Sequence, residues 1–259
     1  MENNKNFENL NDVNIIKDKA SNSISPKARK RLRHEILRPQ IKITPLPNQI
    51  HDALEDAIIH GDIESGTRIR ADDIAEVFGI SRIPVREALS SLHEAGWVEI
   101  KPRYGVYVRS RSRSELTQLF EARVAVDSEI SRLASLRRSQ EDIESLTKIV
   151  AQSKTRADAD DVEGLYKASN DFYVALRLAA RNSVLAAISL HLEKRARFYF
   201  YPIAKDLGRD WAVRQAELLD LIIAEKSSLA AESTRRHVET TGSDVLRLLA
   251  ILDIEEKSK

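Results

Sequence analysis

Residues 81–89, Ser-Arg-Ile-Pro-Val-Arg-Glu-Ala-Leu, constrain this 259-residue chain more than any other stretch. Proline breaks a helix interior but is tolerated in the first turn, so Pro84 pins a helix start near Arg82, with Ser81 placed as N-cap. From that start Val85, Ala88, Leu89 and Leu92 share one face, and Arg82, Ile83 and Arg86 face out. Upstream, Asp72 to Phe78 puts Ile74, Val77 and Phe78 on one helical face, and Gly79 permits a sharp turn. Downstream, Gly96 stops the helix and Trp97-Val98-Glu99-Ile100 alternates as a strand. Lys101 to Gly105 then turns, and Val106 to Arg109 returns as a β-hairpin with a basic tip. Helix, tight turn, arginine-led helix and basic hairpin predict a winged helix-turn-helix, a scaffold whose partner is double-stranded DNA. A preceding helix, Ile50 to His60, has Ile50, Leu54, Ala57 and Ile58 at helical spacing and Gly61 as its C-cap candidate.

Past Arg113 every segment reads helical, so the fold class is mainly α, a winged helix-turn-helix followed by an antiparallel all-α bundle. Leu116, Leu119, Phe120, Arg123 and Val124 lead a helix to about Arg138. Further helices are expected over 143–157, 162–180, 184–202, 211–225 and 228–252. The expected organisation is a disordered basic arm over 1–45, the DNA-binding domain over 46–110, an all-α effector-binding and dimerisation domain over 111–253, and a disordered tail over 254–259. The arm carries Lys27, Arg29, Lys30, Arg31 and Arg33, readable as a solvated tail or as sequence-blind contacts to phosphates. Within Phe198-Tyr199-Phe200-Tyr201 the four rings spread round the helix, which predicts packing into a core.

Net charge is only +1, but it is unevenly spread. Residues 26–113 hold 16 Lys+Arg against 12 Asp+Glu, residues 114–259 hold 22 against 24, and residues 1–25 hold 3 against 4. The positive excess therefore lies beside the predicted reader. The absence of cysteine excludes disulfides and thiolate metal sites and fits a reducing compartment. No membrane-length apolar run and no signal-peptide core occur, which together imply a cytoplasmic, nucleoid-associated protein with no membrane partner. Neither a phosphate loop, a nucleophile elbow nor a paired-carboxylate constellation occurs, so no enzyme activity is expected.

The first domain resembles the GntR family of bacterial transcription regulators, whose recognition signature usually reads Ser-Arg-Thr-Pro-Val-Arg-Glu-Ala-Leu and differs here only at Ile83. The resemblance implies that Arg82 and Arg86 read the operator, that Ser81 touches phosphate, and that Gly105 sits at the wing tip near the minor groove. Arg70 and Arg103 are placed with them as DNA contacts. An arginine fork on a helix amino end can take guanine O6 and N7 together, and Ile83 substitutes an apolar contact, such as a thymine methyl, for the usual hydroxyl.

The second domain resembles the FadR-type, or FCD, ligand-binding bundle. The segments are Leu119 to Arg123, Asn170 to Leu176 with Ala179 to Asn182, and Arg235 to Val238. Many members of that subfamily bind a divalent metal, and the matching positions here are Ser169, Tyr173, Gln215 and His237. One imidazole beside a hydroxyl, a phenol and an amide makes a poor transition-metal site, so no metal and no cofactor are expected. Asp171, two residues before Tyr173, points elsewhere on a helix. The resemblance leaves Arg123, Ser169, Tyr173, Gln215 and His237 as effector contacts, with Arg123 either anchoring a carboxylate or paired with a neighbouring acid. It implies a homodimer on a near-palindromic operator, a repressor tuned by a small anionic metabolite. The alternative is a constitutive DNA-binding regulator whose pocket has lost metal and ligand binding.

Overall fold

The computed structural model describes residues 24–36, 45–200 and 209–257 and divides the chain into two compact units, 1–110 and 111–259. In the first unit, α2 (Leu46–Ile59), α3 (Ala71–Phe78) and α4 (Arg82–Glu94) surround a core of Ile50, Leu54, Ile58, Ile74, Val85 and Leu92. Gly79 ends α3 in the left-handed conformation (φ 68°), which makes the tight turn into α4. A three-stranded antiparallel sheet, ordered β1-β3-β2, closes the unit with β1 (Arg68–Ile69), β2 (Val98–Lys101) and β3 (Gly105–Val108). Val98 pairs with Val108 and Ile100 with Val106, which fixes the hairpin register. Strand β1 is a feature the sequence pattern misses, because two residues are too few to show alternation. Trp97 is buried at the root of the hairpin and donates its indole N–H to Glu55 Oε1 at 2.9 Å.

One expectation is overturned. Within the arm expected to be disordered, Pro26–Ile36 forms a helix, α1, packed on α2 and α3. Ile24, Ala28 and Leu32, at intervals of four, are all buried, and Ser25 Oγ accepts from the Ala28 N–H at 3.2 Å. Burying an Ile and a Leu contributes roughly 1.5–3 kcal/mol each, enough to order a short basic helix against a ready surface. Residues 1–23 and 37–44 of the expected arm lie outside the described residues, as does the end expected at 202 for the helix over 184–202.

The second unit is a bundle of α5 (Arg113–Arg137), α6 (Gln140–Asp158), α7 (Val162–Ala179), α8 (Ser183–Phe200), α9 (Arg209–Ile223) and α10 (Ser227–Lys257). Capping sets the starts of three of them. Ser112 accepts from the Glu115 N–H, Ser139 forms a capping box with Asp142, and Asp161 accepts from the Gly164 N–H. The core gathers Ile130, Leu133, Leu146, Phe172, Leu176 and Ile222, with Phe198 and Tyr199 also buried. Helices α5 and α10 approach closely at Gly242, where a Cβ would stand 2.8 Å from the Phe120 ring. The last helix continues to Lys257, beyond the boundary expected at 253, so the expected tail is helical over 254–257. No helix among the described residues is long and apolar enough to cross a membrane.

Candidate functional site

In the first unit α4 presents Arg82, Ile83 and Arg86 outward, and Ile83 is 70% exposed. Ser81 occupies the N-cap position in extended backbone, yet its hydroxyl makes no capping bond. The reason lies three residues on. A cap usually accepts from the N2 or N3 N–H, and N3 here is Pro84, which has none. The hydroxyl is thereby left exposed at the helix start.

Arg82 Nε pairs with Asp72 Oδ1 at 2.7 Å, both side chains more than 60% exposed. Arg86, Arg70, Arg68 and Arg103 have no ion-pair partner among the described residues. A shallow hollow between α4 and the hairpin is lined by Arg68, Arg70, Arg82, Arg86, Ile100 and Gly105, so four of the seven residues predicted to contact DNA gather around one surface. Arg68 is the residue sequence reasoning missed. Its guanidinium lies 3.1 Å from where a Gly105 Cβ would stand, at φ 112°, so Gly105 is what lets Arg68 lie across the wing. Arg103, at the exposed wing tip, holds a left-handed conformation (φ 67°), which carries strain in any residue but glycine.

In the second unit the four predicted positions converge as two bonded pairs. Gln215 Nε2 donates to Ser169 Oγ at 3.0 Å, and His237 Nε2 stands 2.9 Å from Tyr173 Oη. Arg214 Nη1 lies 3.2 Å from His237 Nδ1. A guanidinium can only donate, so Nδ1 accepts and the ring proton sits on Nε2, pointing at Tyr173. Desolvation, aided by the charges of Arg214 and Arg123, pushes the His237 pKa down to about 3, so the ring is neutral at pH 7. Burial likewise raises the Tyr173 phenol, which stays protonated.

This donor set does not fit the divalent metal of the FCD subfamily. Both ring nitrogens of the single imidazole are engaged, the other three positions offer only a hydroxyl, a phenol and an amide, and two guanidinium groups face the ring. Asp171 is exposed and takes no part.

Around these pairs lies a cavity lined by Arg123, Tyr166, Ser169, Tyr173, Glu193 and His237, with about 30 Å³ open to water centres. That is room for one or two waters. Arg123 is only 6% exposed, and its Nε donates to Asp127 Oδ2 at 3.1 Å, while Ser189 Oγ donates to Asp127 Oδ1 at 2.7 Å. Of the two readings of Arg123, the structure shows the pairing with an acid, and it also places the side chain in the cavity wall. Beside it Glu193, 5% exposed, is gripped by both Arg177 and Arg197. Burial pushes its carboxyl up, but the charges of Arg197 and Arg177 and their hydrogen bonds outweigh this and hold it below the usual range. Three largely buried guanidinium groups therefore face two carboxylates, a net +1. Gln215 Oε1, Thr241 Oγ1 and Arg177 Nη2 are buried with no hydrogen-bond partner among the described residues.

A DNA-reading winged helix-turn-helix, with a polar-centred helical bundle in the same chain, defines a transcription regulator and not an enzyme. Residues 46–108 match the family described as bacterial regulatory proteins, gntR family, and residues 118–240 match the FCD domain, so the chain belongs to the GntR family of regulators in its FCD-bearing, FadR-type branch. Among its relatives, the Uxu operon regulator of Haemophilus influenzae is 26% identical over 80% of this chain and 84% of its own length. The Uxu operon transcriptional regulator of Escherichia coli is 29% identical over 78% and 87%. The solved structure of E. coli McbR/YncC superposes with a TM-score of 0.69 at 18% identity, over 80% of this chain and all of that one, a likeness of fold.

Proposed function

We propose that this chain is a ligand-responsive repressor that binds a near-palindromic operator as a homodimer, in the cytoplasm at the nucleoid, and that a small anionic metabolite carrying a carboxylate or phosphate is its signal. The observation that carries the signal half is the positive excess beside the cavity: Arg123 in its wall, with Arg177 and Arg197 gripping the wall residue Glu193, oppose Asp127 and Glu193 among the described residues. A buried charge without a counter-charge is costly, and an entering anion would supply one. Arg123, with the partly buried pair Tyr173–His237, would orient that anion, and Ser169 and Gln215 would complete the polar wall. Because the resting cavity holds only one or two waters, binding would require the bundle to open, which gives the ligand a means of biasing the protein between two arrangements.

On the DNA side, Arg82 and Arg86 would each read a guanine edge, Ile83 an apolar one, and Ser81, Arg70, Arg103 and the backbone at Gly105 would hold the phosphates. Two-fold pairing would place half-sites one helical turn, about 34–36 Å, apart.

A second reading, a constitutive regulator with a closed pocket, is favoured by the small cavity and by Asp127 neutralising Arg123. Thermal shift against a panel of carboxylates and phosphates decides between them. At a ligand concentration of about 100 Kd the stabilisation is about 2.7 kcal/mol, or about 5–11 °C for a unit of this size. If no anion shifts the transition while operator binding is intact, the closed-pocket reading replaces ours. Selection of bound duplexes tests the other half, and enrichment of a single unpaired half-site by a monomer would refute the two-fold operator.

A further inference from the structure

The winged helix-turn-helix carries no positive excess of its own. Residues 46–113 hold 9 Lys+Arg against 11 Asp+Glu, a net −2, whereas residues 26–36 hold 5 against 1, a net +4. A surface that meets a polyanion is expected to be cationic, and here most of that charge rides on α1.

Helix α1 is held in a defined place. Its apolar residues Ile24, Ala28 and Leu32 are buried, and its three arginines are fastened to α2, the turn that follows it, and α3. Arg31 pairs with Asp62, Arg29 reaches Asp73 at 3.5 Å in the first turn of α3, and Arg33 Nε donates to Val77 O at 3.3 Å in the last turn. Moving from Arg29 to Arg33 follows Asp73 to Val77, so α1 runs alongside α3 in the same direction. Asp72, next to Asp73, is the residue paired with Arg82. The turn of α1 that bears Lys27, Arg29 and Lys30 therefore lies at the end of α3 reached by the leading arginine of α4. Lys27 and Lys30 are exposed there and have no acidic partner among the described residues.

We propose that α1 is a second DNA-contacting element. Lys27 and Lys30 engage phosphates flanking the segment read by α4, and they supply a sequence-independent, salt-sensitive share of the affinity. The inference rests on α4 being the reader, because that fixes which face meets the duplex.

The test measures binding of the full chain to a random-sequence duplex by fluorescence anisotropy, from about 50 to 200 mM salt. Each phosphate contact contributes about 0.9 to the slope of log affinity on log salt, so Lys27→Ala with Lys30→Ala should lower the slope by about 1.8. Across that fourfold salt range wild type should then lose about tenfold more affinity than the variant. Lys27→Arg with Lys30→Arg should restore the slope, and the preference for operator over random duplex should not change in either variant. Equal slopes in wild type and the alanine variant would overturn the proposal, as would a slope not restored by arginine. So would an unchanged DNA slope accompanied by lost binding to anionic vesicles. Failure of the α4 reading shows elsewhere, as an Arg86→Ala protein that keeps full operator preference.

Discussion

Glu193→Gln isolates the charge balance at the cavity. The substitution keeps the shape but removes the negative charge held between Arg177 and Arg197, and it replaces one of the two accepting oxygens with a donor, so one of the two arginine hydrogen bonds is lost with the charge. At an effective dielectric constant of about 20, one contact-distance pair is worth about 4 kcal/mol, and here two are lost. Part is returned because the carboxylate no longer has to be desolvated. Removing one member of a buried pair typically costs about 3–5 kcal/mol, and the upper end is expected for a carboxylate shared by two cations. For the 149 residues of the second unit this is about 10–20 °C in its transition midpoint. The chain has two tryptophans, Trp97 in the first unit and Trp211 in the second, so a Trp97→Phe background lets Trp211 fluorescence report the second unit. The pH dependence supplies a signature that simple damage does not. Because the folded-state carboxyl is held below its ordinary value, its contribution is complete above about pH 4.5 and fades as pH falls through the lowered value. The gap between wild type and Glu193→Gln should therefore be widest at neutral pH and narrow below pH 4.5. A gap under about 2 °C, or one independent of pH, would refute the argument that Glu193 is the counter-charge of the site.

Three further outcomes follow from the same geometry. Arg86→Ala should weaken specific operator binding by about 1–3 kcal/mol and relax base preference at one position, read by selection of bound duplexes; unchanged selection would remove Arg86 from the reader. His237 is neutral when folded and takes a proton below about pH 6.5 when unfolded, so wild-type stability should fall by about 1.4 kcal/mol per pH unit between 6.5 and 5 from this group alone. His237→Gln should flatten that limb in urea titrations, and an equally steep limb would contradict the buried neutral assignment. Elemental analysis of purified protein should find transition metal well below one equivalent, and added Zn²⁺ or Ni²⁺ should leave the second unit's transition unmoved. A full equivalent lost on His237→Gln would show that the imidazole is available after all.

What the sequence revealed, and what it hid, divides along physical lines. Helix α4, its neighbours and the hairpin were legible because proline, glycine and the alternation of Val98 to Ile100 each act locally. The effector residues were placed by family likeness, and the structure brings Ser169 to Gln215 and Tyr173 to His237 across helices that no local pattern connects. Helix α1 was hidden by composition. Its apolar residues recur every four positions behind a Ser-Pro start, a usable signal, but five basic residues in eleven made the segment read as solvated. Of the Arg177–Glu193–Arg197 cluster only the i,i+4 pair of Glu193 and Arg197 on α8 was legible. Nothing in a charged residue's neighbours says that it is buried, and Arg177 lies 16 residues from Glu193 on another helix. The missing cap bond at Ser81 could have been, since Pro84 at N3 removes the donor in the sequence itself.

The same local chemistry explains how the reader rests without DNA. Arg82 is a long side chain, and its position is fixed by the 2.7 Å pair with Asp72. Both groups are more than 60% exposed, a setting in which ion pairs contribute about 0–1 kcal/mol, whereas a bidentate guanine contact is worth about 1–3 kcal/mol of discrimination. The pair is therefore weak enough to yield to guanine, yet it spares Arg82 part of the ordering cost that binding would otherwise impose. Arg86, one turn further on, has no such tether. Of the two arginines it has more freedom to lose, so a guanine contact by Arg86 would have to offset a larger ordering cost. On the proposed reading Asp72 would also place a negative charge near the DNA backbone and so disfavour non-specific encounters. On the same reading α1, held at the same end of α3 through Asp73, would supply the opposing positive charge, so adjacent acids of one helical turn position both the leading arginine of α4 and the basic turn of α1.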